Sequence, residues 1–250
     1  MSDSSADIIV VGCGIAGASA AAELSRTHRV VILERESLPA YHSTGRSAAL
    51  FSETYGNAVV RWLSRASRRF FVSPPPEFCT HALLRQRGTL HVARADQIAD
   101  LIAFGTALES PAAVRRIDGD LARAICPILR PETAAQAIYE PDSADVDVNA
   151  LHQGYLRLFR RNGGVLVTEA EVAAFNRRDG KWRVHTRVGV FEAPLVVNAA
   201  GAWADEIAMM AGAQPCSVTP CRRTAFTVEM SPGMDIDGWP LTIDLDETFY

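Results

Sequence analysis

The hexapeptide Gly12-Cys13-Gly14-Ile15-Ala16-Gly17 constrains this chain more than any other stretch. It follows an apolar run, Asp7–Val11, and opens an alanine-rich segment, Ile15–Arg26, that reads as a helix. A second apolar run, Arg29–Glu34, comes next and ends on an acid. Strand, glycine turn, helix, strand and acid in that order form a dinucleotide-binding unit, which isolated glycines would not. Gly12 permits the tight turn, Gly14 lets the backbone approach a pyrophosphate, and Gly17 lets helix and strand pack closely. Ile15 and Ala16 begin a helix whose free N–H groups face the phosphates. Glu34 falls where an acid accepts hydrogen bonds from ribose hydroxyls, and it would repel a 2′-phosphate, which disfavours NADP. Cys13 reads as a small residue filling the turn rather than as a redox thiol.

Composition excludes several alternatives. The 250 residues are 48% hydrophobic and 22% charged, enough for one or two domains with real cores. A net charge of −4 gives no basic footprint for nucleic acid. No apolar run approaches the length of a membrane span, so no integral membrane segment is expected. Met1–Asp7 is polar and acidic, unlike the basic start of a secretory signal. The five cysteines form no CxxC pair and have no histidines at ligand spacing. Reduced thiols, no metal site and a cytoplasmic location are the expectation.

Two further stretches bear on which dinucleotide is bound. His42-Ser43-Thr44-Gly45-Arg46-Ser47-Ala48-Ala49 is rich in small hydroxylated residues. Its N–H groups and the Ser43 and Thr44 hydroxyls suit pyrophosphate and ribityl oxygens, and Arg46 adds charge. A polar surface loop is the competing reading. Val196–Trp203 reads as a strand ending in small residues, Ala200 and Gly201 among them, that admit a nucleotide close to the backbone. Another buried strand and turn would look the same. Taken together with the glycine turn, the two stretches favour FAD over NAD.

Along the chain, helical spacing marks 57–72, 96–109, 118–126 and 149–161, with Asn149 as an expected N-cap. Strands are expected at 88–93, 134–139, 164–172, 171–177, 181–187, 190–193, 195–200, 216–230 and 241–245, with a turn at Arg178-Asp179-Gly180. The dinucleotide-type pattern breaks off near 50, resumes near 150 and gives way to β structure near 214. The expected class is α/β, with an α+β two-domain organisation. A Rossmann-like FAD-binding domain at 1–50 and 150–212 is interrupted by a mixed-sheet substrate domain at 51–149 and 213–250.

The stretches Gly12–Ser19, Val30–Glu36, Tyr41–Ala49, Ala66–Phe71, Leu151–Leu156, Val197–Trp203 and Arg222–Phe226 carry a family resemblance. The chain resembles the D-amino-acid oxidase/dehydrogenase (DAO) superfamily of FAD-dependent enzymes, and within it the bacterial D-arginine dehydrogenases. The resemblance implies non-covalent FAD and a small-molecule amino-acid substrate. It implies oxidation to an imino acid that water converts to a 2-oxo acid and ammonia, with a quinone or oxygen as electron acceptor. It extends the cofactor contacts to Arg35, Ser47, Ala48, Ala49, Leu50, Val172 and Trp203. It places Tyr55, Arg223 and Tyr250 at the substrate, where an arginine fork and tyrosine hydroxyls suit a carboxylate. Each of these three also reads as an ordinary core or surface residue. No general base is assigned.

The chain departs from that pattern in three ways. Leu50 stands where the D-arginine enzymes carry a histidine, and Thr89 where they carry a glutamate for the substrate guanidinium. Basic D-amino acids are therefore not expected to be the best substrates. Family members also continue past Tyr250, so a truncated chain with poor FAD binding and slow turnover is expected. Oxidation of a 2-hydroxy acid or secondary amine on the same scaffold stays open, as does a non-catalytic FAD-binding remnant. A plain NAD-dependent dehydrogenase would explain Gly12–Gly17 and Glu34 but not the later stretches.

Overall fold

The computed structural model describes residues 6–108, 113–222, 224–229 and 232–249. In chain order its elements begin with β1 (Ile8–Val11), α1 (Ile15–Leu24), β2 (Val30–Leu33), β3 (Leu50–Phe51), α2 (Ala58–Val72), β4 (Leu84–Gln86) and β5 (Thr89–Ala93). Next come α3 (Ile98–Thr106), β6 (Arg115–Asp118), α4 (Gly119–Ile125), β7 (Gln136–Glu140), β8 (Ala144–Val146) and α5 (Val148–Arg161). The series closes with β9 (Val165–Val167), β10 (Val172–Arg178), β11 (Lys181–Thr186), β12 (Gly189–Ala193), β13 (Leu195–Asn198), α6 (Ala204–Met210) and β14 (Leu241–Asp244). The chain divides into two units: Met1–Ser47 with Pro75–Thr80 and Val148–Phe226, and Ala48–Pro74 with His81–Asp147 and Thr227–Tyr250.

The first unit is built on a parallel sheet of order β13-β1-β2-β9. Successive side chains of a strand point to opposite faces, and here both faces are covered. Ile8, Val10, Val30 and Ile32 pack against Ala18, Ala21 and Ala22 of α1 and Leu156 and Phe159 of α5. The alanines let α1 lie close to the sheet. In α5 the buried Leu151, His152, Leu156 and Phe159 recur at helical spacing on one side. On the other face Ile9, Val11 and Leu33 meet Val172, Val184, Ala193 and Ile207, supplied by the antiparallel sheet β10-β11-β12 and by α6. That double cover is why β1 and β2 are apolar without alternation. Each such side chain taken fully from water is worth about 1.5–3 kcal/mol. β10 and β11 are joined through Asp179 and Gly180, both at positive φ (52° and 78°), the conformation that matches strand twist in a two-residue hairpin.

The second unit holds a mixed sheet, β14-β5-β7-β6, and a small antiparallel one, β3-β8-β4. Leu90, Val92 and Ala137 pack against Ala122 of α4 and Cys126 at its C-cap, while Ala93 and Ile138 pack against Leu101 of α3. Asp118 caps α4 by accepting from Leu121 N–H at 2.8 Å. The buried Glu140 carboxylate accepts from the Ser52 and Thr54 hydroxyls and from Glu53 N–H, at 2.7–2.8 Å. Those bonds tie the 52–54 loop to β7.

Several expectations need correction. The β structure expected at 216–230 is absent: among the described residues there, none is in a strand and Phe226 is 80% exposed. β propensity needs a partner strand to express itself, and two of the ladder donors are diverted. Cys216 N–H and Val218 N–H both bond to the Asp205 carboxylate at 2.8 Å. α2 forms within the expected 57–72 span, capped by Asn57, whose side chain accepts from Val60 N–H, yet it buries none of its residues. Val59 and Leu63, two of the apolar residues that give 57–72 its helical spacing, are exposed. Asn149 lies inside α5 rather than at its cap. Strands β3, β4, β6 and β8 were not anticipated. Among the described residues no helix is long and apolar enough to cross a membrane.

Candidate functional site

The glycine turn sits at the carboxyl end of β1, between β2 and β13. Gly12 has φ +99°, and a Cβ there would lie 2.5 Å from the Ala199 carbonyl oxygen, so conformation and space both demand glycine. At Gly17 a Cβ would fall 1.9 Å from the Gly12 carbonyl oxygen, which sets the close approach of α1 to the turn. Gly14 begins α1 with no side-chain cap of its own. Thr44 serves α1 instead, its Oγ1 accepting from Ile15 N–H at 3.0 Å. Helix N-terminal N–H groups with their partial positive charge therefore meet the open space beside the turn.

Glu34 follows β2 and is 7% exposed. Its Oε2 accepts from Cys13 N–H at 2.7 Å and its Oε1 from Glu36 N–H at 3.0 Å. Each oxygen keeps a second acceptor site. The Cys13 thiol is fully buried and pushed up to about 12, by burial first and by the Glu34 charge second. It stays protonated and acts as filler, not nucleophile. The Cys13 carbonyl accepts from Ala40 N–H at 3.2 Å and faces the His152 Nε2 at 2.9 Å.

Around this turn opens a cleft formed by the first unit alone. The ends of β1 and β2, the Ala40–Thr44 loop, Ala170–Val172, Ala199–Trp203 and one side of α6 line it. Its rim is stacked: the Arg35 guanidinium lies 4.8 Å from the Trp203 ring centre, and the His42 ring 4.7 Å away from it. Arg35 also pairs with Glu171 at 3.3 Å and His42 with Glu36 at 2.8 Å.

Of the residues expected from sequence, Gly12, Gly14, Glu34, Arg35, Ser43, Thr44, Val172, Ala200, Gly201 and Trp203 line this one cleft. Ile15, Ala16 and Gly17 lie behind it in the first turn of α1. Arg46 and Ser47 are not among the lining residues. The Arg46 guanidinium is stacked 4.7 Å from the Tyr41 ring centre. Ala48, Ala49, Leu50 and Tyr55 belong to the second unit. There Leu50 pairs with Asp145 in the small sheet, and Tyr55 is exposed with its N–H on the Ser52 hydroxyl at 3.2 Å. Arg223 and Tyr250 lie outside the described residues. Thr89 is fully buried, its hydroxyl 2.7 Å from that of Ser143. Sequence reasoning missed Tyr41, His42, Glu171, Glu206, Ile207 and Met210 in the lining. Of these, Tyr41 and His42 stood inside a stretch already singled out, Tyr41–Ala49.

The donor set fits the ADP half of a dinucleotide: N–H groups for phosphates, an oriented carboxylate for ribose, small residues where a ring must pass. Comparison with known proteins is consistent with this geometry. The profile described as DAO, FAD dependent oxidoreductase, matches residues 7–250. L-2-hydroxyglutarate dehydrogenase of Escherichia coli K12 is 25% identical over 221 residues, 84% of this chain and 50% of that protein. Mitochondrial dimethylglycine dehydrogenase of Rattus norvegicus is 26% identical over 212 residues, 83% of this chain and 25% of that protein. In fold, the chain is similar to the crystal structure of glycine oxidase from Geobacillus kaustophilus. The TM-score is 0.72 at 24% identity, over 83% of this chain and 58% of that one. The chain thus spans half the length of the bacterial relative and a quarter of the rat one. The profile match runs through both units, and on it the chain belongs to the DAO family of FAD-dependent oxidoreductases, with FAD as its cofactor.

Proposed function

We propose that the first unit is the FAD-binding domain, that its cleft holds the ADP half of FAD, and that the second unit is the substrate domain of an enzyme oxidising the amine of a D-amino acid. The observation that carries the cofactor part is the convergence of ten sequence-expected residues on one cleft. Glu34 receives the ribose hydroxyls on its remaining acceptor sites. Gly14 and the first turn of α1 receive the pyrophosphate, and the apolar side chains of Leu33, Val172, Ile207 and Met210 exclude water. The FAD held there would supply the two-electron oxidant for the substrate Cα–H, giving an imino acid that water would convert to a 2-oxo acid and ammonia. Tyr55, Arg223 and Tyr250 are proposed to anchor the substrate carboxylate, which fixes the direction of that Cα–H.

Support for a D-amino acid comes from the resemblance carried by Tyr41–Ala49, Leu151–Leu156 and Arg222–Phe226. Thr89 offers a hydroxyl already engaged by Ser143 rather than a carboxylate, so basic side chains find no counter-charge there. The similarity to L-2-hydroxyglutarate dehydrogenase and dimethylglycine dehydrogenase favours a second reading, oxidation of a 2-hydroxy acid or an N-methylated amine. Anaerobic bleaching of the FAD-reconstituted chain separates the two readings. The panel includes D- and L-amino acids, 2-hydroxy acids and N-methylglycines. Bleaching by neutral D-amino acids, with D-arginine not ahead by tenfold, is the expected outcome. Bleaching by hydroxy acids or methylated amines alone would transfer the function to the second reading. Bound flavin that no substrate bleaches would leave binding without oxidation.

A further inference from the structure

Helix α5 sends one polar side chain into its apolar face. Leu151, Leu156 and Phe159 fill the core beside α1, but between them His152 is 2% exposed. A buried imidazole is costly unless it is hydrogen-bonded. Its partner is the main chain of the glycine turn: Nε2 lies 2.9 Å from the Cys13 carbonyl oxygen. A carbonyl only accepts, so Nε2 must carry the proton. Burial also pushes the His152 pKa down, which favours the neutral ring.

The consequence follows from the geometry of one peptide plane. The Cys13 carbonyl and the Gly14 N–H belong to the same amide, and among the described residues no peptide bond is cis. In a trans amide the two groups point in opposite directions. Ala40 N–H also reaches this carbonyl, at 3.2 Å, but the shorter His152 bond holds it toward α5 and so turns the Gly14 N–H away from α5, and Gly14 lines the cleft. The preceding amide is held separately by Cys13 N–H on Glu34. A hydrogen bond on a carbonyl also polarises the N–H of its own amide, strengthening it as a donor.

We infer that His152 is a positioning residue for the cofactor: its Nε2–H fixes the Cys13–Gly14 amide so that the Gly14 N–H is aimed at the FAD pyrophosphate. This rests on the reading of the cleft as the ADP site. A role through one phosphate-facing N–H makes a specific demand. Loss of His152 must weaken ligands that carry a pyrophosphate and spare those that do not.

The test compares ADP with adenosine by protein-observed NMR titration of the 250-residue chain and its His152→Leu and His152→Gln variants. The expected result is ADP affinity reduced about tenfold in His152→Leu, a loss typical of one charge-assisted hydrogen bond. Adenosine affinity should be unchanged, and His152→Gln, which keeps an N–H donor, should recover most of the loss. Equal loss for ADP and adenosine would reduce His152 to a packing residue and overturn the inference. An unchanged ADP affinity would overturn it too. If His152→Leu does not fold, nitrogen-15 shifts of the wild-type imidazole decide: protonated Nε2 is required, and protonated Nδ1 with bare Nε2 contradicts it. A wild-type chain that binds neither ADP nor FAD would remove the cleft reading itself, and with it the inference. Normal wild-type binding with no selective loss would remove the inference alone.

Discussion

Two buried histidines show how a single side chain takes its role from its surroundings. His152 has a carbonyl to bond and a turn to hold, whereas His91 in β5 has neither. The His91 ring lies against Phe104, its Nε2 has no partner among the described residues, and burial lowers its pKa from 6.5 to about 4. Between those values the unfolded chain binds a proton that the folded chain refuses. Stability therefore rises with pH through that window and is lost as pH falls from 6.5 toward 4. The effect is at most about 3 kcal/mol. His91→Phe should flatten this acid limb, as measured by urea unfolding across the window. An unchanged slope would assign the limb to other groups. Nothing in the sequence around either histidine announced burial. Only the fold shows which ring meets a carbonyl. Glu34 was different, because its place after an apolar strand and a glycine turn already implied what it would face.

Elements were legible where local pattern and tertiary demand agreed. β1 and β2 read as continuous apolar runs because a helical layer covers one face and an antiparallel sheet the other. The hairpin at Asp179-Gly180 was readable because positive φ at both positions selects such residues. Partner-dependent elements were not readable. β3 and β8 consist of two and three residues and exist through their pairing in the small sheet, too short to leave a period in the sequence. The described residues of 216–229 include strand formers, but none of them is in a strand. The junction of α1 with the turn is the element contact under greatest steric demand. Gly17→Ala would drive a methyl to 1.9 Å from the Gly12 carbonyl oxygen. We expect a loss of about 3 kcal/mol in urea unfolding, the upper range for overpacking. A loss under about 1 kcal/mol would mean that α1 can shift, contrary to the packing described.

At the scale of the molecule, the first unit gathers residues from three stretches, and the cleft draws on β1, β2, the Ala40–Thr44 loop and segments beyond residue 170. The glycine motif announced the nucleotide end of that cleft. Its far wall, with Glu171, Ile207 and Met210, was invisible in sequence because it is assembled by α6 and the segment entering β10, elements distant in sequence that pack on one face of the parallel sheet. Family membership fixes FAD as the cofactor. The central claim is more local: the ADP half lies against the glycine turn. Gly14 allows that claim to be tested without damaging the fold. Its φ is not positive, and an added Cβ meets only the Thr44 hydroxyl, at 3.2 Å. FAD titration of wild type and Gly14→Ala, followed by flavin fluorescence, is the decisive measurement. The account predicts a Gly14→Ala chain that unfolds like wild type but binds FAD at least about tenfold more weakly, because the methyl blocks the close approach of phosphate to backbone. A folded Gly14→Ala chain with wild-type FAD affinity would contradict it.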